Sequence, residues 1–294
     1  MNLQNQLSRH EDLNQTLTDV DLGALSHQGH VRENNEDSYL VCRFGRSLEN
    51  LITNLDDDLL EQSYTVTGYG MLVADGMGGV AGGEIASRLA LSKLVELVVD
   101  TSDWVLSLKQ QSDVNTVLDR MTERFLQIDS AVRREADHDY TLQGMGTTLT
   151  VAAALGSDLL VGHVGDSRAY LLHGATLKQL TTDHTLAQAL IDAGVADPDD
   201  PASRSMRHVL TAAVGSLGQE VEPQVQRFKL ERGDQLLLCT DGLTETVEDS
   251  TIAHVLQEAA SAQGACQALV DLALAGGGTD NITVVVARFS HSEL

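Results

Sequence analysis

Three apolar runs of the sequence each stop on an aspartate that is followed by a small residue. The runs MLVAD, LLVGHVGD and LLLCTD end on Asp75, Asp166 and Asp241. Short apolar runs of this kind are typical of buried strands, and an aspartate that ends one is most often a turn residue. Two more aspartates, Asp37 and Asp280, stand before strand-like segments. If these strand ends converge, five carboxylates meet at one rim and a cation must offset their mutual repulsion.

The order of the predicted elements indicates an α+β fold. Strand-like segments come first and are followed by two amphipathic helices over 84–99 and 114–132. Further strand-like segments lead to two helices within 250–278 and to a closing strand over 280–289. The strict alternation of a doubly wound parallel sheet is missing, so the order favours antiparallel sheets covered by helices.

We expect one domain over 21–290, preceded by a flexible lead-in over 1–20. Residues 45–63 interrupt the strand pattern and are interpreted as a connecting excursion that includes at most one helical turn. Residues 183–216 combine a short helical pattern with Pro198 and Pro201, which break any long helix. This segment is predicted to form a surface flap, and both irregular segments are candidates for substrate selection.

Composition narrows the class of protein. Lys and Arg number 19 against 43 Asp and Glu, a formal net charge of -24, which argues against nonspecific binding to nucleic acid or to an anionic membrane. The three cysteines are far apart and form no CxxC pair, so they predict neither a disulfide framework nor a thiolate zinc site. No apolar run approaches the roughly 18 residues that span a bilayer. These features predict a soluble cytoplasmic protein.

The segment VADGMGGVAGGEIAS, residues 73–87, allows two readings. Its GMGGVA, 76–81, satisfies the G-x-G-x-x-A pattern of dinucleotide-binding loops. The β–α alternation that this pattern requires is absent, and Asp75 would place a negative charge where the pyrophosphate should bind. Carboxylates without His or Cys instead favour Mg²⁺ or Mn²⁺ over zinc. We therefore interpret Asp75 as a metal ligand, and expect the neighbouring glycines to let a backbone carbonyl or a metal-bound water approach.

Seven segments of the sequence resemble, in order, the motifs of the protein phosphatase 2C family, whose members are metal-dependent serine/threonine phosphatases. The similarity covers residues 20–289 and is greatest to the bacterial branch. It implies a four-layer α-β-β-α sandwich with two antiparallel sheets and with the active site at one edge of them. The segments are GHVRENNEDSYL, VADGMGGVAGGEIAS, GMGTTLT, GHVGDSRAYLL, LTTDHTL, LLLCTDGLTE and GGGTDNITVVV.

The resemblance also implies roles for the acidic residues. Asp75 matches the carboxylate that bridges two metal ions, and the Gly76 carbonyl holds one of them. Asp241 and Asp280 complete the protein ligands of the first ion, whereas Asp37 serves the second ion directly or through water.

Further positions carry roles in some members of the family. Glu36 occupies a position filled by an acid in some members and by an amide in others. Asp166 resembles a ligand of a looser third ion of bacterial members, shared with Asp241. Arg32 matches the arginine that binds the substrate phosphate, and its alternative role is an ion pair with Glu33 or Glu36.

One position departs from the animal members. Met77 stands where they carry a histidine that protonates the leaving group, and a methionine has no proton to give. The proton donor therefore stays open between a metal-bound water near Asp166 and His184 of the flap. His163, inside a strand-like segment, is expected to be a core histidine, and Thr147, Thr148, Ser167 and Arg168 are expected to support the site through hydrogen bonds.

The resemblance implies hydrolysis of phosphoserine and phosphothreonine in proteins by a metal-bridging hydroxide, without a covalent intermediate. The cofactors would be two Mn²⁺ or Mg²⁺ ions, with a third in bacterial members, and the catalytic residues would be Arg32, Asp37, Asp75, Asp241 and Asp280. The partners would be phosphorylated proteins, namely Ser/Thr kinases or their substrates in bacterial signalling, and we expect a monomer. Family members that act on anti-sigma-factor antagonists, inactive members that only bind phosphoproteins, and a structural cation-binding module are the alternatives.

Overall fold

The computed structural model describes residues 19–49, 63–78, 82–100, 111–197, 205–215 and 221–290. Within these residues twelve strands and six α-helices alternate in blocks. The strands are β1 (Asp19–His27), β2 (Ser38–Glu49), β3 (Ser63–Ala74), β4 (Gly76–Met77), β5 (Gly146–Thr147), β6 (Leu149–Leu155), β7 (Asp158–Val164), β8 (Arg168–His173), β9 (Thr176–Gln179), β10 (Gln224–Lys229), β11 (Gln235–Cys239) and β12 (Ile282–Ser290). The helices are α1 (Gly82–Asp100), α2 (Gln111–His138), α3 (Leu186–Asp192), α4 (Asp241–Thr244), α5 (Asp249–Glu258) and α6 (Ala262–Ala275), with a 3₁₀ turn at Tyr140–Leu142.

The strands form two five-stranded sheets in which every neighbouring pair is antiparallel. The first sheet has the order β1-β12-β11-β8-β9 and the second has the order β10-β7-β6-β3-β2, while β4 and β5 form a small separate ribbon. In the first sheet, β12 lies between β1 and β11, so strands from both ends of the described chain pair directly.

Successive side chains of a central strand point to opposite faces of its sheet, and both sets are apolar, so both faces must be covered by other elements. Along β11, Leu236 and Leu238 point into the core between the two sheets, whereas Leu237 and Cys239 pack against the helices of the first sheet. This period of two is the geometry of a pleated strand. Because both faces are apolar, each central strand is buried on both sides, and each fully buried Leu contributes roughly 1.5–3 kcal/mol to stability.

Helices complete the outer layers. On the second sheet, α2 buries Phe125, Ile128 and Val132, which recur at helical spacing. On the first sheet, α5 and α6 bury residues that include Leu256 and Leu269. The result is a four-layer α-β-β-α sandwich, which confirms the expected fold class.

Several predicted bounds need correction. The excursion over 45–63 is too wide, because β2 continues to Glu49 and β3 already begins at Ser63; residues 50–62 lie outside the described residues. The lead-in is shorter than predicted, because Asp19 and Val20 pair with β12; residues 1–18 also lie outside. The flap contains α3, which Thr185 caps by accepting a hydrogen bond from the Gln188 amide, but its two prolines lie outside the described part of the chain.

A membrane span was not expected. Among the described helices, none is both long and apolar enough to cross a bilayer.

Candidate metal centre

The structure places the five predicted aspartates at one edge of the two sheets. In the second sheet Ser38 pairs with Ala74, so Asp37, just before β2, and Asp75, just after β3, lie beside each other. In the first sheet Cys239 pairs with both Arg168 and Val284. The chain therefore carries Asp241, Asp166 and Asp280 past the same edge.

Burial and mutual repulsion raise the pKa values of four of these carboxyl groups. Burial raises the pKa of Asp75 well above its usual range, and repulsion from Asp37, Asp241, Asp166 and Asp280 raises it further. Burial is also the largest cause that raises the pKa of Asp37 and Asp241 to about 7 and that of Asp166 to about 8. Without a cation, burial and mutual repulsion therefore disfavour the ionised form of these carboxyl groups.

Two oxygens of the cluster have no hydrogen-bond partner. They are Oδ1 of Asp37 and Oδ1 of Asp241, both buried. A buried acceptor without a partner costs about 1–3 kcal/mol and more for a charged group, so such atoms are rarely left bare. A divalent cation bound by oxygen ligands would satisfy both atoms and offset the repulsion, so the donor set fits Mg²⁺ or Mn²⁺.

Hydroxyl groups fix the orientation of Asp37. The Thr240 hydroxyl donates to Asp37 Oδ2 at 2.9 Å and accepts from the Thr283 amide at 2.9 Å. Oδ2 of Asp37 is thus held by Thr240, which follows β11 and is itself bonded to β12, whereas Oδ1 has no hydrogen-bond partner. Sequence reasoning missed Thr240, although it directly precedes Asp241.

The backbone of Asp75 is held by the neighbouring loop. Its amide donates to Thr148 Oγ1 at 2.9 Å, and its carbonyl accepts from Thr147 Oγ1 at 2.8 Å. Thr148 Oγ1 also lies 2.7 Å from Ser167 Oγ, next to Asp166. These three hydroxyl residues support the site as predicted, because they connect the loops of two acidic residues.

The glycines beside two of the aspartates let backbone carbonyls approach closely, which is one of the two roles expected for such glycines. A Cβ on Gly76 would lie 2.1 Å from the Gly83 carbonyl oxygen and 2.8 Å from that of Glu36. A Cβ on Gly242 would lie 2.0 Å from the carbonyl oxygen of Asn281. The space that a side chain would take is filled by protein backbone, so these glycines bring the ligand-bearing segments together and do not leave room for a water.

Arg32 lies at the mouth of the cluster. Its Nη2 donates to Asp280 Oδ2 at 2.6 Å, and its side chain is 54% exposed. The alternative partners considered from the sequence, Glu33 and Glu36, are not its ion-pair partner here. Burial raises the pKa of Glu36, which Arg32 partly counteracts.

Asn281 is a second residue that sequence reasoning missed. Its Oδ1 accepts from the Glu36 amide at 2.8 Å, and its Nδ2 donates to the carbonyls of Gln28 and Asn34, both at 2.9 Å. One side chain thereby holds the loop that carries Arg32 and Glu36 against β12. The sequence shows only that Asn281 directly follows Asp280, and it does not reveal which loop the Asn281 side-chain amide contacts.

The two histidines named from the sequence lie next to each other, with ring centres 5.0 Å apart. His163 bonds to the Thr150 hydroxyl at 2.9 Å and to the Thr182 carbonyl at 3.2 Å, and burial lowers its pKa to about 3, so it is a neutral core histidine. His184 accepts from the Gly165 amide at 3.2 Å and donates its own amide to the Gly165 carbonyl at 2.7 Å. It is therefore attached to the residue before Asp166.

The start of the flap is tied to the first sheet by a half-buried ion pair. Arg168 donates from Nε to Asp183 Oδ1 at 2.9 Å and from Nη2 to Asp183 Oδ2 at 2.7 Å. This two-point geometry fixes both side chains, in contrast to a single-point lysine contact. Met77, in β4, pairs with Gly146 and is half-buried beside the site.

Comparison with known proteins agrees with this geometry. The sequence profile of the Protein phosphatase 2C family matches residues 45–274. The serine/threonine protein phosphatase PstP of Mycobacterium tuberculosis is 37% identical over 265 residues, which is 90% of this chain and 44% of that protein. Protein phosphatase PhpP of Streptococcus pneumoniae is 30% identical over 276 residues, 93% of this chain and 99% of that protein.

A solved structure shows the same fold. The catalytic domain of PstP, in complex with two manganese ions, aligns with a TM-score of 0.70 and 34% identity and covers 92% of this chain and 98% of that one. This chain spans 44% of the length of the M. tuberculosis protein and nearly all of the pneumococcal one. The profile match, these identities and the shared fold show that this chain belongs to the protein phosphatase 2C family.

Proposed function

We propose that this protein is a metal-dependent protein serine/threonine phosphatase. The observation that carries the proposal is the partly buried aspartate cluster with two buried carboxylate oxygens that have no hydrogen-bond partner, on Asp37 and Asp241. Its oxygen-only donor set suits Mn²⁺ or Mg²⁺. The two manganese ions of the PstP structure, which shares 34% of its sequence with this chain, support a two-ion centre.

The family resemblance suggests which residues would hold the ions. Asp75 would be shared by two ions, and the Gly76 carbonyl would hold one of them. Asp241 and Asp280 would complete the ligands of the first ion, and Asp37 would serve the second directly or through water. Asp166 would serve a third ion together with Asp241, and Glu36 is a further candidate ligand. When bound, a pair of divalent ions lowers the pKa of a water molecule and neutralises charge that develops on the phosphoryl group.

Arg32 would bind and orient the phosphate. The bond from Nη2 to Asp280 holds one edge of the planar guanidinium group. The side chain is otherwise exposed, so its other N–H groups are available to donate to a phosphate. The positive charge and the buried acids lie side by side, so a phosphate at this mouth would contact Arg32 while its phosphorus faces the metal centre.

The cysteines give no alternative nucleophile. Burial raises the pKa of Cys239 and of Cys266 to about 12, and it also raises the pKa of Cys42. All three therefore stay thiols at neutral pH, and the thiolate is the reactive form. This supports hydrolysis without a covalent phosphocysteine intermediate. Met77 cannot donate a proton, so the donor to the leaving group would be a water near Asp166 or His184.

The substrates we propose are proteins phosphorylated on serine or threonine, including Ser/Thr kinases and their targets in bacterial signalling. The names of the relatives support this substrate class. We further propose that the protein acts in the cytoplasm as a monomer and without nucleic-acid or membrane partners, in keeping with its net charge of -24.

Phosphate release from a phosphothreonine peptide tests the proposal. We expect release with Mn²⁺ or Mg²⁺, none with EDTA, and a loss of at least 100-fold in Asp241→Asn, since removing one ligand charge weakens the centre. The control is Asp271→Asn on the exposed side of α6, which should retain full activity. A folded wild-type protein that releases no phosphate in Mn²⁺ would refute the function and favour a phosphoprotein-binding role.

A further inference from the structure

Asp129 is a buried carboxylate on α2, in the outer helical layer and outside the aspartate cluster. It is 3% exposed and follows Ile128, one of the residues by which α2 packs on the second sheet. A buried charge is costly unless it is both paired and hydrogen-bonded. Arg133, one helical turn later, meets part of this cost, since its Nε lies 2.8 Å from Oδ2 of Asp129. The other oxygen, Oδ1, makes a contact outside the helix.

That contact is with the flap end, residues 211–215. Oδ1 of Asp129 accepts from the Gly215 amide at 2.7 Å. Gly215 has a φ of +83°, and a Cβ on it would lie 2.2 Å from Cγ1 of Val132, on the same helix. Because glycine adopts this φ without steric cost and takes up no further space, the flap end packs directly on α2.

The flap end is bonded in turn to the loop that carries Asp75. The Val214 amide donates to the Thr147 carbonyl and the Thr147 amide donates to the Val214 carbonyl, both at 2.9 Å. The Thr147 hydroxyl donates to the Asp75 carbonyl at 2.8 Å. Val214 and Thr147 are both fully buried. A continuous series of buried contacts therefore connects Asp129 to the main chain of Asp75.

The same segment also reaches the loop of Asp166. The Thr211 amide donates to the His184 carbonyl at 2.8 Å, and His184 is bonded to Gly165, the residue before Asp166. A displacement of the flap end would thus be felt at two of the five aspartates of the cluster.

We propose that Asp129 is a positioning residue, which holds the flap end against α2 and thereby keeps the main chain of Asp75 in place. The role rests on the proposed function insofar as Asp75 is a metal ligand there, whereas the bond to the flap end can be tested in metal-free protein. Mutation of outer residues that orient metal ligands typically lowers metal affinity or activity by about 10–100-fold. A carboxylate that only stabilised the fold would lower Tm and leave the affinity for Mn²⁺ unchanged.

Amide hydrogen exchange of the full chain in EDTA tests the contact itself. Asp129→Ala removes the acceptor, so peptides that cover 211–215 and 146–149 should exchange about tenfold faster, relative to those of β12, than in the wild type. Asp129→Asn keeps an oxygen acceptor for the Gly215 amide and should restore most of the protection. Gly215→Ala disturbs the same contact from the flap side and should act like Asp129→Ala, so the proposal stays testable if the latter does not fold.

Asp158→Ala is the matched control. Asp158 is also a buried aspartate, paired with Arg227 Nε at 2.6 Å and with Lys229 Nζ at 2.7 Å, at the end of β7 that lies opposite Asp166. Its loss should lower Tm without a selective effect on the exchange of the flap end.

Titration with Mn²⁺, followed by the electron paramagnetic resonance signal of the free ion, tests the effect on the site. Asp129→Ala and Gly215→Ala should weaken Mn²⁺ binding by about tenfold, whereas Asp129→Asn and Asp158→Ala should bind Mn²⁺ like the wild type. Unchanged relative exchange of the flap end in Asp129→Ala, or an Mn²⁺ affinity no weaker than that of Asp158→Ala, would overturn the proposal. Variants that follow the expected pattern in a protein that releases no phosphate would refute the proposed function and leave the role of Asp129 standing.

Discussion

Gly242→Ala tests the role assigned to the glycines beside the metal ligands. Residue 242 lies in the first turn of the short helix α4, and in the interior of a helix alanine is favoured over glycine by about 1 kcal/mol. On local propensity alone, the change should stabilise the protein. The structure predicts the opposite, because the new Cβ would lie 2.0 Å from the Asn281 carbonyl oxygen and 3.0 Å from its carbon.

The size of the effect follows from that distance. Contacts of Cβ closer than 3.0 Å are essentially never seen, so the two backbones must separate by at least 1.0 Å, the difference between 3.0 and 2.0 Å. Overpacking of this kind costs about 1–3 kcal/mol. It also moves Asp241 and Asp280, each one residue from the contact, and a misplacement near 1 Å can lower activity by about 100-fold.

The assays are thermal unfolding in EDTA and phosphate release in Mn²⁺. For a domain of this size we expect a fall in Tm of roughly 2–12 °C. Gly264→Ala in the first turn of α6 is the matched control, since its Cβ would lie 3.2 Å from the Ser261 hydroxyl, a side chain that can move slightly. A Gly242→Ala protein with unchanged Tm and unchanged activity would show that close backbone packing is not why this position is glycine.

Three further outcomes are expected. Thr148→Val should lower the free energy of unfolding in urea by about 1–3 kcal/mol, because the Asp75 amide and the Ser167 hydroxyl lose a buried partner; a smaller loss would mean that water replaces the hydroxyl. Arg32→Lys should lower kcat/KM for a phosphopeptide by about tenfold or more at unchanged Tm, since lysine lacks the bidentate fork; equal kcat/KM would remove Arg32 from phosphate binding. In EDTA, Tm should fall as pH rises from about 4 to 8, because aspartates with pKa raised to about 7 or 8 hold protons in the folded state that the unfolded state has released. Saturating Mn²⁺ should remove that fall, and a Tm in EDTA that rises over this range would contradict the pKa assignments.

The architecture and the acidic cluster could be predicted because both leave local patterns. Helical spacing marks α2 over Val114 to Val132, and apolar runs mark the buried strands that end on Asp75, Asp166 and Asp241. Antiparallel pairing places consecutive strand ends at a shared edge of one sheet. Convergence of the aspartates of both sheets was a condition of the metal-site prediction, and the structure meets it.

Two supporting residues, Thr240 and Asn281, could not be predicted in the same way. Asn281 contacts a loop about 250 residues away in the chain, and Thr240 reaches Asp37 across 203 positions. A single sequence does not show which distant backbone an amide or hydroxyl will meet. The same limitation left open whether the glycine beside Asp75 admits a backbone carbonyl or a water. The structure shows backbone of other segments against Gly76, and likewise against Gly242.

The central place of β12 has a consequence for when the proposed activity would appear during synthesis. This strand brings Asp280 to the site and lies between β1, from the opposite end of the described chain, and β11. During synthesis, Asp37 and Asp75 leave the ribosome long before Asp280, so the nascent chain lacks both a ligand and the middle of a sheet. Pairings this distant in sequence form slowly, because the connecting chain must first close a long loop. Catalytic competence should therefore arrive in one late step, together with the native fold, so that incomplete chains would not dephosphorylate their surroundings.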